Sequence, residues 1–156
     1  MMTLSKATAT KLDELAARYP TRMALTLPGL YLVQDEAGWI SPQAMIDLAE
    51  HLDLSPAYVR GVATFYTMFR KDQVGRYLIQ VCTNLSCQLM GSDTVLACLE
   101  RKLGVKPGET TADGKFTVVE VECLASCGTA PMMQINDTYY EDLTEAKVEQ
   151  ILASLG

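Results

Sequence analysis

The spacing of apolar positions changes once along this chain. Through residue 72, apolar residues recur every three or four positions, the spacing of a helical stripe. Leu12, Leu15, Ala16 and Tyr19 form one stripe over Lys6 to Arg18, closed by Pro20. A second runs from Met23 to Ala37 with Pro28 inside it, so it reads as one kinked helix or as two pieces, with Gly38 as terminator. Ser41-Pro42 and Ser55-Pro56 are each an N-cap followed by a first-turn proline. Behind them come Met45, Leu48, Ala49 and Leu52, then Val59, Val62, Ala63 and Tyr66, again at helical spacing. Four short helices with short connections predict a small bundle.

Near Gly75 the pattern becomes strand-like. Tyr77–Cys82 is nearly all apolar, as expected of a strand covered on both faces. Ser92 is expected to cap a helix bearing Val95, Leu96, Leu99 and Leu103, with Gly104 stopping it. Val105–Lys115 reads as a loop and Phe116–Cys123 as a strand, with Val119, Val121 and Cys123 on one face. Two short strands, Met132–Ile135 and Thr138–Glu141, flank Asn136-Asp137, residues that tolerate the positive φ of a tight hairpin. Thr144 then caps a last helix with Val148, Ile151, Leu152 and Leu155. The order βαββα, with a four-stranded sheet and two helices, makes the chain α+β. A helical N-terminal domain is expected over residues 1–72 and a second domain over 73–156.

Composition narrows the function. Hydrophobic residues make up 49% and charged ones 21%, enough for a core. The net charge of −6 and the lack of any basic run argue against nucleic acid as a partner. Met1 to Lys11 lacks the layout of a secretory signal, and the apolar stretches Leu25–Val33 and Tyr77–Cys82 are too short to span a bilayer. A soluble, cytoplasmic chain is expected, with no membrane insertion. In a reducing compartment, spaced cysteines read as metal ligands before disulfides.

Four of the five cysteines form two pairs, Cys82/Cys87 and Cys123/Cys127, in the pattern C-x₄-C…C-x₃-C. Each pair follows an expected strand, which puts four sulfurs on loops at one end of a sheet. Soft thiolates select zinc or an iron–sulfur cluster. Structural zinc more often uses C-x₂-C hairpins, so the wider gaps favour a cluster, with a Cys₄ zinc site as the rival. A Rieske centre needs two histidines, and His51 is the only one. It falls near a helix end, where a solvated or dipole role is the default. Thr83, Asn84, Ser86, Ala125, Ser126, Gly128 and Thr129 are small or polar enough for backbone N–H groups to approach sulfur. Gly91 and Gly128 are the expected positive-φ positions at the loop exits. Cys98 lies mid-helix outside the pattern and reads as a buried free thiol.

Cys82-Thr-Asn-Leu-Ser-Cys87, Cys123-Leu-Ala-Ser-Cys127-Gly-Thr-Ala-Pro-Met-Met and Gly61-Val-Ala-Thr-Phe-Tyr-Thr-Met-Phe69 resemble the thioredoxin-like [2Fe–2S] ferredoxin subunits of NADH–quinone oxidoreductase. These are the small ferredoxin component of bacterial complex I and its mitochondrial counterpart, the 24-kDa subunit. The resemblance covers almost the whole chain, including Leu32-Val-Gln-Asp-Glu-Ala-Gly-Trp39. It implies a helical N-terminal region followed by a thioredoxin-like domain with a mixed sheet. It also implies one [2Fe–2S] cluster on Cys82, Cys87, Cys123 and Cys127, and no catalytic residue on this chain. The implied partner is the NADH- and FMN-binding flavoprotein subunit, of the 51-kDa type, within a peripheral arm on the cytoplasmic face of the inner membrane. The implied activity is single-electron exchange with that flavin. No GxGxxG or P-loop suggests a nucleotide on this chain.

An all-cysteine site of formal charge about −2, becoming −3 on reduction, should have a low potential, roughly −400 mV in plant-type centres. Glu120, Glu122, Glu141 and Asp142 would lower it further if near. Phe65, Tyr66, Met68 and Phe69 are expected to fill the bundle first and to serve an interface second. Three other readings share the residues: the equivalent diaphorase subunit of an NAD-reducing hydrogenase or NAD-dependent formate dehydrogenase, a free-standing thioredoxin-like ferredoxin, and a zinc-stabilised interaction module.

Overall fold

The computed structural model describes residues 4–155. Residues 1–3 and 156, where the two expected domains begin and end, lie outside them. The chain divides into two compact units, Met1–Gln73 and Val74–Gly156.

The first unit is helical. It comprises α1 (Lys6–Ala16), a 3₁₀ turn (Arg22–Leu25) running into α2 (Thr26–Ala37), α3 (Pro42–Leu52) and α4 (Pro56–Phe65). The serine caps form as expected: Ser41 Oγ accepts from the Ala44 N–H at 3.1 Å and Ser55 Oγ from the Tyr58 N–H at 3.2 Å. Ser5 does the same for α1. That helix stops at Ala16, ahead of Pro20, because the chain tightens into i→i+3 turns at Arg18 and Tyr19. The Met23–Ala37 segment is two pieces. Pro28 falls in the first turn of α2, where no N–H is needed, so it does not kink the helix. Gly38 ends α2 at φ 80°.

Leu12, Leu30, Ile40, Leu48, Leu52, Val59 and Phe69 form the core of this unit. The four residues expected to fill it divide sharply. Phe69 is 1% exposed and packs edge-on to Tyr31, whereas Phe65 is 77% exposed. The helix ends at Phe65 and the chain turns, so helical spacing no longer decides which face each aromatic takes. Gln34 pins that turn to α2, donating to the Met68 carbonyl and accepting from the Arg70 N–H. His51, in the last turn of α3, pairs with Asp13 at 2.9 Å.

The second unit is a four-stranded mixed sheet in the order β2-β1-β3-β4. Strand β1 (Tyr77–Cys82) pairs parallel with β2 (Phe116–Val121) and antiparallel with β3 (Met133–Ile135), which forms a hairpin with β4 (Thr138–Tyr140). The central place of β1 explains its apolar run: Leu78, Ile79, Val81 and Cys82 are all buried. A short helix, α5 (Leu85–Leu89), follows β1. Two longer helices, α6 (Ser92–Leu103) and α7 (Glu145–Ser154), pack together and share a core with the sheet, through Val95, Leu99, Val118 and Val148. Arg101–Glu145 and Lys102–Glu149 ion pairs link them at the surface.

Three local expectations change. Strand β2 ends at Val121, and its core face is Phe116 and Val118, with Val119 and Val121 only half-buried. Gly91, at φ 105°, takes the N-cap position of α6; Ser92 is its first residue, with a fully buried hydroxyl that has no hydrogen-bond partner. The segment after Cys82, expected as loop, contains α5. The hairpin forms where expected, with positive φ at Asn136 (51°) but not at Asp137. Its side chain also extends the ladder of β1, accepting from the Leu78 N–H and donating to the Arg76 carbonyl.

Candidate metal centre

The sheet topology brings the two cysteine pairs together. Cys82 is the last residue of β1, in register with Val121 at the end of β2. Its N–H donates to the Met132 carbonyl, just before β3, at 3.2 Å. Because β2 and β3 flank β1 on opposite sides, the connection between them crosses the end of β1. Cys123 and Cys127 lie on that connection, over Cys82.

The four sulfurs are therefore not all on loops. Cys82 is in a strand and Cys87 is on α5. Cys127 opens a 3₁₀ turn, and Cys123 alone occupies irregular chain. Their exposure is unequal: Cys82 (3%) and Cys87 (2%) are buried with Ala130 and Met132, while Cys123 and Cys127 are exposed. No disulfide joins any of the five.

Backbone amides point at the sulfurs. The N–H groups of Asn84 and Leu124 act on Cys82, that of Met132 on Cys87, and that of Ala125 donates to Cys123 Sγ at 3.3 Å. Burial alone would push the Cys82 thiol up. The two amides, with the neighbouring thiols of Cys87 and Cys123, outweigh it and hold Cys82 below its ordinary value. Cys87 moves the other way, pushed up by burial and then by Cys82, with Cys127 adding to the effect. The positive φ expected of Gly128 is found instead at Ala125 (φ 61°), the residue that aims its N–H at Cys123; Gly91 is positive as expected. The Ala130–Pro131 bond is cis.

Among the described residues, no three His, Cys, Asp or Glu side chains gather tightly enough to enclose a single ion. A two-iron cluster shares four thiolates between two metals, two on each, and needs no such gathering. Four free thiols, with amides directed at three of them, fit that donor set. His51 and Cys98 stand apart from it. Cys98 is 0% exposed in the core of the sheet unit, where burial pushes its thiol up.

A family model described as "Thioredoxin-like [2Fe-2S] ferredoxin" matches residues 12–156. The chain belongs to this family. It is 40% identical to an NADH-quinone oxidoreductase subunit of Rhizobium meliloti, covering 92% of this chain and 86% of that protein. Identity is 44% to NADH-quinone oxidoreductase subunit 2 of Thermus thermophilus, over 92% and 81% of the two chains. It is 45% to an NADH-quinone oxidoreductase subunit of Rickettsia conorii, over 98% and 93%. Among solved structures, an NAD⁺-reducing [NiFe]-hydrogenase chain has the same fold, with a TM-score of 0.73 at 22% identity; the match covers 83% of this chain and 22% of that one.

The sequence does not single out three contributors to this candidate site. The amides of Leu124 and Met132 carry no side-chain signal, and α5 is too short for a stripe. Among the four carboxylates considered, Glu141 is the one built into the Cys123–Cys127 loop. Ser126 Oγ and Thr129 Oγ1 both donate to its Oε1, the latter at 2.6 Å, and they hold its carboxyl below the usual value. No helix among the described residues is long and apolar enough to cross a membrane.

Proposed function

We propose that this chain is the electron-transfer subunit of a respiratory NADH–quinone oxidoreductase, holding one [2Fe–2S] cluster on Cys82, Cys87, Cys123 and Cys127. It docks beside the flavoprotein subunit that carries NADH and FMN, in the peripheral arm on the cytoplasmic face of the membrane. What supports this reading is a sheet topology that brings two pairs of free thiols to the end of β1, in a chain 40–45% identical to NADH-quinone oxidoreductase subunits over most of its length.

When bound, the cluster supplies a one-electron carrier. The chain's own residues set its surroundings. The amides of Asn84, Leu124, Met132 and Ala125 place partial positive charge against sulfur, easing an electron onto an anionic site. Burial of Cys82 and Cys87 with Ala130 and Met132 keeps water from that side. The exposed pair leaves the other side open to a partner's redox group. Leu85, Leu89 and Met90 are exposed apolar residues beside Cys87, a surface for that partner to cover.

The same chemistry would serve the diaphorase of an NAD-reducing hydrogenase, and the shared fold keeps that reading second. Metal and sulfide analysis of the purified chain tests the site, with EPR after dithionite. Two irons, two labile sulfides and a rhombic signal are expected, lost in Cys87→Ser and Cys127→Ser. A colourless protein with one zinc overturns the proposal. Co-purification with a flavoprotein and membrane subunits, or with a hydrogenase, decides the host.

A further inference from the structure

We infer that Glu141 is a positioning residue for the second cysteine pair and that its fixed negative charge lowers the reduction potential of the site. This inference rests on the cluster assignment proposed above.

The connection carrying Cys123 and Cys127 has few anchors. Strand β2 has ended at Val121 and β3 does not begin until Met133. Apart from the Leu124 N–H and the Cys123 thiol, both directed at Cys82, the hydrogen bonds that leave residues 123–131 end on one segment, 139–143. Tyr139 Oη donates to the Leu124 carbonyl at 3.1 Å. The Asp142 and Leu143 N–H groups donate to the carbonyls of Thr129 at 2.8 Å and Pro131 at 3.0 Å. The only side-chain acceptor among them is Glu141, whose Oε1 takes both the Ser126 and Thr129 hydroxyls.

Those two hydroxyls bracket Cys127: Ser126 precedes it, and Thr129 closes its 3₁₀ turn through its N–H to the Ser126 carbonyl at 3.2 Å. With both hydroxyl protons committed to the carboxylate, the Ser126 and Thr129 oxygens stand 2.9 Å apart beside it. An ionised acceptor makes such bonds shorter and stronger than a neutral one. Lys147 Nζ bonds the Glu141 backbone carbonyl at 2.5 Å, and its positive charge offsets part of the carboxylate's field.

The redox consequence follows from charge. Reduction, by a reduced flavin or by dithionite, would add one electron to a centre of two ferric ions, two sulfides and four thiolates and move its formal charge from about −2 to −3. A carboxylate held beside one cysteine opposes that step by Coulomb repulsion, more strongly than an exposed carboxylate free to swing into water. Removing its charge while keeping its oxygen should make reduction easier without loosening the loop.

The test uses the cluster-loaded protein and its Glu141→Gln and Glu141→Ala variants. Two quantities are read: the midpoint from EPR-monitored dithionite titration and the cluster lifetime against a ferrous-iron chelator. Glu141→Gln keeps a carbonyl oxygen for both hydroxyls. Its reduction equilibrium should be three- to tenfold more favourable, tenfold being about 59 mV for one electron, with a lifetime within about twofold of wild type. Glu141→Ala should shift the midpoint the same way and shorten the lifetime severalfold. If Glu141→Ala fails to assemble, Thr129→Val, which retains the charge, should show the shortened lifetime instead. An unshifted midpoint in Glu141→Gln, or a wild-type lifetime in both loop variants, overturns the inference while leaving the cluster assignment standing. A wild-type chain that takes up no iron overturns both.

Discussion

Gly75 and Gly61 should respond to alanine with opposite signs. A Cβ on Gly75 would lie 2.9 Å from the carbonyl carbons of Lys115 and Phe116 and 3.0 Å from the Lys115 oxygen. All three are backbone atoms at the start of β2 and cannot rotate away. Relief requires the entry to β1 and the start of β2 to separate by several tenths of an ångström. That movement also stretches the buried bond from the Gly75 N–H to Thr117 Oγ1, now 2.7 Å. Overpacking costs about 1–3 kcal/mol, and an orphaned buried donor about as much again. A loss of about 2–4 kcal/mol is expected once the two partly relax together, or on the order of 10–20 °C in Tm for a unit of this size. Gly61 sits inside α4, and a Cβ there meets nothing within 4 Å. Gly61→Ala should stabilise by about 0.5–1 kcal/mol through helix propensity. Urea denaturation separates the effects, because the single tryptophan, Trp39, reports on the helical unit while circular dichroism follows both. A Gly75→Ala protein within about 0.5 kcal/mol of wild type would refute the steric argument.

Cys98→Ala should leave the EPR signal intact and cost about 1 kcal/mol for a small cavity; Cys98→Ser should cost more, because it buries a hydroxyl. Loss of the signal in Cys98→Ala would show that the thiol belongs to the site. Glu36 gives a pH prediction. The hydroxyls of Thr8 and Ser5 hold its carboxyl below its ordinary 4.5. A depressed folded-state pKa contributes stability that is present above the ordinary value and fades as pH falls through the folded one. Glu36→Gln should therefore be less stable than wild type at neutral pH, and urea midpoints should converge as pH falls below about 4.5. A gap that stays constant into that range contradicts the assignment.

The elements most visible in the sequence were those whose pattern and caps agree. Ser41-Pro42 and Ser55-Pro56 start helices as read, and the apolar run Tyr77–Cys82 is the doubly covered central strand. Helix α5 leaves no signature in the sequence because it is one short turn whose apolar residues Leu85 and Leu89 face outward, opposite to the pattern that marks a packed helix. At Ser92 a hydroxyl before an apolar stripe reads as a cap, whereas Gly91 takes the cap conformation. The pairing of the cysteines was readable from their spacing. Their unequal burial was not, since it depends on the β2–β3 connection passing over β1. Glu141 could be named as a charge but not placed, because its partners lie 12 and 15 residues away across a turn.

The position of β1 between β2 and β3 also sets a timetable for maturation. Both of its pairings are between segments distant in sequence, and such pairings close late because loop entropy opposes them. The helical unit depends on neighbours close in sequence and is synthesised first. Cys82 and Cys87 thus leave the ribosome well before the chain that carries Cys123 and Cys127 can be laid across them. Until β3 has docked, the nascent chain carries separated reduced thiols and an unpaired central strand, open to oxidation and to association with other chains. On the cluster assignment proposed above, both cysteine pairs come within reach of one cluster only once the sheet has closed.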